Sequence, residues 1–195
     1  MKKTTILAMT AGALGTVGAL ALPFTRSGYE SPAYEVVVSD GAFEVRDYPS
    51  MTVAVAPMGD NKGNRNSAFR MLFGYISGKN NDGKKIAMTT PVFTSSSGKG
   101  QEMSFVVPEE VAKTGTPEAT DTKVEIAERK EGRFATYRFS GNWSDEKAKQ
   151  AKTKLLKWVS KQGLKTIGEI EKANYDPPFT PPALRRNEVL IRIHK

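Results

Sequence analysis

The residues able to do covalent chemistry are few. Cysteine is absent, which removes disulfides, thiolate nucleophiles and cysteine-held metal or iron–sulfur sites. His194 is the sole histidine and lies one residue from the C-terminus, so the sequence offers no His–Ser–Asp set and no histidine-rich metal cluster. No Gly-rich phosphate loop is present. Glu44, Glu102 and Glu125 qualify as candidate acids only by being carboxylates in strand-like runs. The chemistry left is recognition rather than catalysis. Arg70, Arg185 and Arg186 carry forked guanidinium groups that match a carboxylate, with Lys84 and Lys85 as weaker cations. Residues 67–75, SAFRMLFGY, gather aromatic and thioether groups around one arginine.

The whole chain limits what these groups can serve. Its 195 residues are enough for one domain with its own core, and 38% hydrophobic with 26% charged residues is ordinary for a soluble protein. The formal charge of +8 suits anionic partners (nucleic acid, phospholipid head groups, a carboxylate ligand) or simply solubility. The lysines are dispersed over one helix and several loops, and no helix-turn-helix pattern occurs, which argues against nucleic acid. Residues 1–28 stand apart. Lys2 and Lys3 precede an uncharged apolar run, residues 6–22, and Ala19-Leu20-Ala21 fits a small-x-small cleavage pattern. This predicts an exported protein of a bacterial envelope, either periplasmic after signal cleavage or held by an uncleaved anchor. The remaining domain is 29–195.

Period-2 alternation predicts strands in YEVVVSDGAFEVRDYP, a hairpin about Ser39-Asp40-Gly41, and in MTVAVAP, residues 51–57. The period then changes. Phe69, Leu72, Phe73 and Ile76 form a helical stripe, with Asn66 or Ser67 to start the helix and Gly78 to end it. KKIAMTTPVF is expected to run extended with Ile86, Met88, Thr90 and Val92 on one face until Pro91 interrupts the ladder. MSFVVPEE gives a further strand. Residues 109–123 read as a connection without periodicity, and TKVEIAERKEGRFATYRFSG as a second hairpin turning near Glu131-Gly132. A lysine-coated helix capped by Ser144 follows, burying Ala148, Ala151, Leu155, Trp158 and Val159. Its lysine face is a solvated surface or a site for anionic membrane. A strand near residues 169–175 and a last strand, NEVLIRIHK, complete the pattern.

Each half thus reads hairpin, helix, strand, proline break, strand, about residues 34–108 and 123–195. Pro91-Val92-Phe93-Thr94 and Pro177-Pro178-Phe179-Thr180 are taken as equivalent positions. Two β-α-β-β units pairing their sheets predict a pseudo-twofold α+β domain, with a ligand groove where the halves meet.

The pieces YEV, FEVRDYP, AFRMLFGYISGKN, KIAMTTPV, MSFVVPEE, FATYRFSG, NYDPPFT and RRNEVLI, in this order over residues 34–195, resemble the SOUL haem-binding protein family. The resemblance implies a distorted eight-stranded antiparallel β-barrel with two helices, built from a tandem repeat. It implies binding of haem or a related tetrapyrrole in a hydrophobic cleft beside the first helix, as carrier, buffer or sensor. Mapped onto this chain, the cleft would use Arg70, Met71, Phe73, Gly74, Tyr75 and Met88. Met71 beside Gly74 would form a shallow seat on the outward side of the helix, and Arg70, Arg185 and Arg186 would meet the propionates. His194 does not match the position where some family members place an iron ligand, so weak or absent protein ligation is expected. A small-molecule hydrolase on the same scaffold and a membrane-surface module are the other readings.

Overall fold

The structure, a computed structural model, describes residues 28–59, 64–97 and 100–195. The expected export or anchor segment lies outside these residues but for Gly28. β1 (Glu35–Asp40) and β2 (Phe43–Tyr48) form the expected hairpin. Gly41, at φ +61°, adopts the left-handed conformation that an Asp-Gly turn requires. β3 (Met51–Pro57), α1 (Asn64–Ile76), β4 (Val92–Ser97), β5 (Gly100–Val106) and α2 (Glu109–Thr114) complete the first part. β6 (Glu125–Arg129), β7 (Gly132–Phe139), α3 (Asp145–Lys161), β8 (Thr166–Asn174) and β9 (Asn187–Ile193) form the second.

The nine strands make one antiparallel sheet in the order β1-β2-β7-β9-β8-β4-β5-β3-β6. The order reads alike outward from the β8–β4 seam. On one side β8, β9 and β7 carry α3; on the other β4, β5 and β3 carry α1. Beyond these, β2 lies against β7 and β6 against β3, so one strand of each half pairs with the other half.

This exchange overturns several expectations. β6 and β7 do not form a hairpin: Arg129 of β6 opposes Met51, whereas Gly132 of β7 opposes Tyr48. Pro91 leads into β4 and Pro177 follows β8, so the two proline motifs are not topological equivalents. The sheet is not closed. β1 and β6 are its edges, and an open nine-stranded sheet with three helices replaces the eight-stranded barrel with two. The sheet nevertheless curls, because only Pro49 and Ser50 link β2 near one edge to β3 near the other. Tyr48, Val53, Phe93, Val106, Phe134, Ala173 and Leu190, one from each of seven strands, meet in one interior cluster. Residues 84–90 are not a strand, although Ile86 is buried beneath α1. α2 occupies part of the stretch expected to lack structure; Pro108 precedes it and Glu109 and Glu110 suit its N-terminus.

α3 matches its sequence signals. The Ser144 hydroxyl accepts from the Lys147 N–H at 3.2 Å, and Ala151, Leu155, Trp158 and Val159 are buried against β7 and β9. On α1 the stripe divides. Leu72 and Ile76 are buried with Ala68 and Tyr75, but Phe69 and Phe73 are 40% and 52% exposed. A buried ionic network ties β2 to β9. Arg46 donates from Nη1 and Nη2 to Glu188 at 2.7 and 3.0 Å, Arg186 Nε donates to Glu188 at 2.7 Å, and the Tyr175 hydroxyl donates to it at 3.0 Å. Burial opposes ionisation of Glu188, yet the bond from Arg46 and the charges of both arginines overcome it and hold the carboxyl below its usual range.

Candidate functional site: a cleft over the seam between the halves

The two helices cover the outer sides of β3–β5 and β7–β9 and leave the central strands β4 and β8 less covered. Over that seam opens a cleft of about 770 Å³, within the size range of small-molecule sites. One wall is the face of α1 bearing Arg65, Asn66, Phe69 and Phe73. The Phe69 and Phe73 rings stack at 6.0 Å between centroids, and Phe69 meets Phe105 edge-on at 5.4 Å. Met88, Thr90 and Val92 line a second side, Met103 of β5 contributes from below, and Trp143, Pro177 and Pro178 close the far side. Tyr29 also lines it.

The floor is polar and cationic. Arg65 Nη2 donates to Asn174 Oδ1 at 3.0 Å, Asn174 Nδ2 to Asn187 Oδ1 at 3.0 Å, and Asn187 Nδ2 to the Gly141 carbonyl at 2.9 Å. Alternation along β8 buries Ala173 in the interior cluster and turns Lys172 with Asn174 to the helix side. Lys172 Nζ lies 5.4 Å from the Trp143 ring centroid. Burial holds the Arg65 pKa below its ordinary value. Burial, and then the charge of Arg65, does the same to Lys172, against a weaker pull from Asp145. Arg65 lines the cleft together with Asp176, and Lys172 lies just outside it beside Trp143; a desolvated cation in the lining favours an anionic ligand group.

The expected site residues scatter relative to this cleft. Phe73, Met88 and Arg185 line it. Arg70 is exposed, with Nε 3.3 Å from the Asn66 carbonyl, and does not line it. Met71 packs on the core under α1 and Gly74 lies against the Lys79 side chain, so the Met71–Gly74 seat does not exist. Tyr75 is 1% exposed and donates its hydroxyl to the Pro117 carbonyl at 2.8 Å; burial and Asp82 push its pKa up to about 12. Arg186 belongs to the Glu188 network, stacks on Tyr175 at 4.0 Å and lies outside the cleft. Arg185 lines it but spends three donors on the Thr180 and Pro178 carbonyls and on Asn142, clasping the β8–β9 loop to the β7–α3 loop. Lys84 and Lys85 are exposed outside the cleft. His194 borders a separate groove with Arg133 and Lys195.

Sequence reasoning missed Arg65, Trp143, Lys172, Asn174 and Asn187. A signal for Arg65 was present: it stands at i, i+4 and i+8 with Phe69 and Phe73, but it fell in a stretch taken as loop because α1 starts at Asn64.

Known structures share this architecture. The EcmrR C-terminal domain superposes with a TM-score of 0.57 at 12% identity, covering 83% of this chain and 98% of that one. A hydrolase from Listeria innocua gives 0.52 at 13% identity, covering 81% and 94%. A conserved protein of the same organism gives 0.53 at 14%, covering 78% and 92%. At these identities the likeness concerns the fold. No curated protein matches the sequence significantly. The family model described as SOUL heme-binding protein matches residues 29–192, and the chain belongs to that family.

Proposed function

We propose that the seam cleft binds haem or a related tetrapyrrole, and that the protein acts as its carrier, buffer or sensor in the cell envelope. The observation that carries this reading is a cleft walled by aromatic and thioether side chains, with the desolvated Arg65 in its lining and Lys172 near enough to feel its charge. The macrocycle would lie against Phe69, Phe73, Met88 and Trp143, with a carboxylate on the cation pair and the asparagines. Haem supplies a flat apolar face and two propionates, and both find matching groups here. The iron has no histidine partner in this cleft, since His194 borders the other groove. Met88 and Met103 are the soft donors lining it, and Tyr175 keeps its hydroxyl on Glu188. Retention thus rests on stacking, apolar burial and charge pairing.

Titration with hemin tests the reading. A saturable shift and sharpening of the Soret band is expected, and protoporphyrin IX should compete because the reading does not need iron. Absence of saturable change with either compound overturns it. The dimethyl ester of protoporphyrin should bind more weakly than the free acid if the carboxylate meets the cation pair.

A further inference from the structure

Nine large apolar side chains are exposed among the described residues; three of them line the cleft, and two more adjoin lining residues in the chain. Tyr29, Phe69 and Phe73 line the cleft; Phe179 directly follows the lining residue Pro178, and Leu184 directly precedes Arg185. Phe179 is 82% exposed and Leu184 47%, and neither lines the cleft. Both are exposed next to lining residues in the chain, and a ligand inside the cleft would not cover them. Apolar residues gathered on one patch mark a surface that meets an apolar partner.

The chain enters the fold at the same mouth. Tyr29 borders the cleft, and the next two residues are fixed there. The Thr90 N–H donates to the Glu30 carbonyl at 2.8 Å, the Glu109 N–H donates to the Glu30 carboxylate at 2.9 Å, and the Ser31 and Thr90 hydroxyls are 2.9 Å apart. Before this point come the 17 uncharged residues 6–22, separated from Tyr29 only by residues 23–28. That linker covers seven Cα steps and reaches at most about 25 Å. Wherever the apolar run enters a bilayer, the cleft mouth is held within that distance of the point of entry.

We infer that the cleft mouth faces a lipid bilayer. Residues 6–22 act as the tether, and the exposed side chains of Phe73, Phe179 and Leu184 rest at the boundary of head groups and acyl chains. Arg70, exposed beside Phe69 and Phe73, and Arg26 in the linker suit anionic head groups at that level. The lysine face of α3 is a weaker surface, since the helix buries its apolar side against β7 and β9. The arrangement lets a flat apolar ligand pass from membrane to cleft without crossing water. The inference does not depend on which ligand binds, and it is tested without one.

The chain lacks cysteine, so a single introduced thiol labels one site. The full chain is reconstituted into phosphatidylcholine–phosphatidylglycerol vesicles carrying shallow doxyl lipid. A polarity-sensitive dye is placed at Phe179→Cys or Phe73→Cys, with Lys152→Cys and Glu131→Cys as controls on the α3 lysine face and the β6–β7 turn. All four side chains are exposed, so labelling leaves the core intact. Blue-shifted emission and doxyl quenching at either mouth site, exceeding both controls, is the expected result. Mouth-site quenching no greater than that at either control overturns the inference. A failed hemin titration alongside mouth quenching would reject the ligand and leave the docking intact; the reverse would do the opposite.

Discussion

At the residue scale, two pairs of opposite purpose stand near one another. Arg46 and Arg186 are held by Glu188, whereas burial lowers the pKa of Arg65 and, with the charge of Arg65, that of Lys172. The first pair is structural. Glu188→Gln should destabilise the protein by about 3–5 kcal/mol, read in urea unfolding, because Arg186 loses its buried counter-charge and Arg46 keeps only Glu44. The pH dependence follows in sign. The folded carboxyl has a pKa below its ordinary 4.5, so its stabilising share is complete above pH 4.5 and is lost as the pH falls below that value toward the folded pKa. Glu188→Gln should flatten that acid limb, and an unchanged limb would show that another carboxylate sets it. Arg65 and Lys172 bear on the proposed binding. Arg65→Ala and Lys172→Ala should each weaken hemin by about tenfold, the worth of one charge-assisted bond, while leaving unfolding midpoints close to wild type. The ester of protoporphyrin should be indifferent to both changes.

At the element scale, α1 shows why a helical stripe does not name its own inner face. Its apolar residues cover more than half the circumference, and the strands beneath select Ala68, Leu72, Tyr75 and Ile76. Leu72→Ala should therefore cost about 2–5 kcal/mol, while Phe73→Ser should change stability by less than about 0.5 kcal/mol and lower ligand affinity. Equal losses for the two would place Phe73 in the core. α3 is simpler, because its lysines leave only one apolar face. Ser144→Ala should cost about 1 kcal/mol in thermal unfolding through loss of the bond to the Lys147 N–H.

At the scale of the whole molecule, the exchanged strands β2 and β6 make each half depend on the other. A fragment of residues 28–115 would keep β3, β4, β5 and α1 but lose β6 from one side of β3 and β8 from one side of β4. It should be unfolded by circular dichroism, and the full chain should unfold in one transition by dichroism and tryptophan fluorescence alike. A folded fragment would show that the seam is an interface between independent units. The exchange also explains the cleft. The helices sit over β3 and β5 and over β7 and β9, so the central strands β4 and β8 are less covered between them, and the cleft with Arg65 in its lining opens there.

Local chemistry determined much of this protein. Alternation, the Asp-Gly turn, the Ser144 cap and the α3 stripe located most elements, and FGYISGKN, MTTPV and RRNEV carried the family. These signals work between neighbours in sequence, where pattern and geometry are linked directly. The partner of β6, the openness of the sheet, the inward side of α1 and the meeting of Arg65 with Lys172 were decided only by tertiary structure. Each depends on segments from different parts of the chain coming together around a shared core, and no local period records which surface a side chain will find.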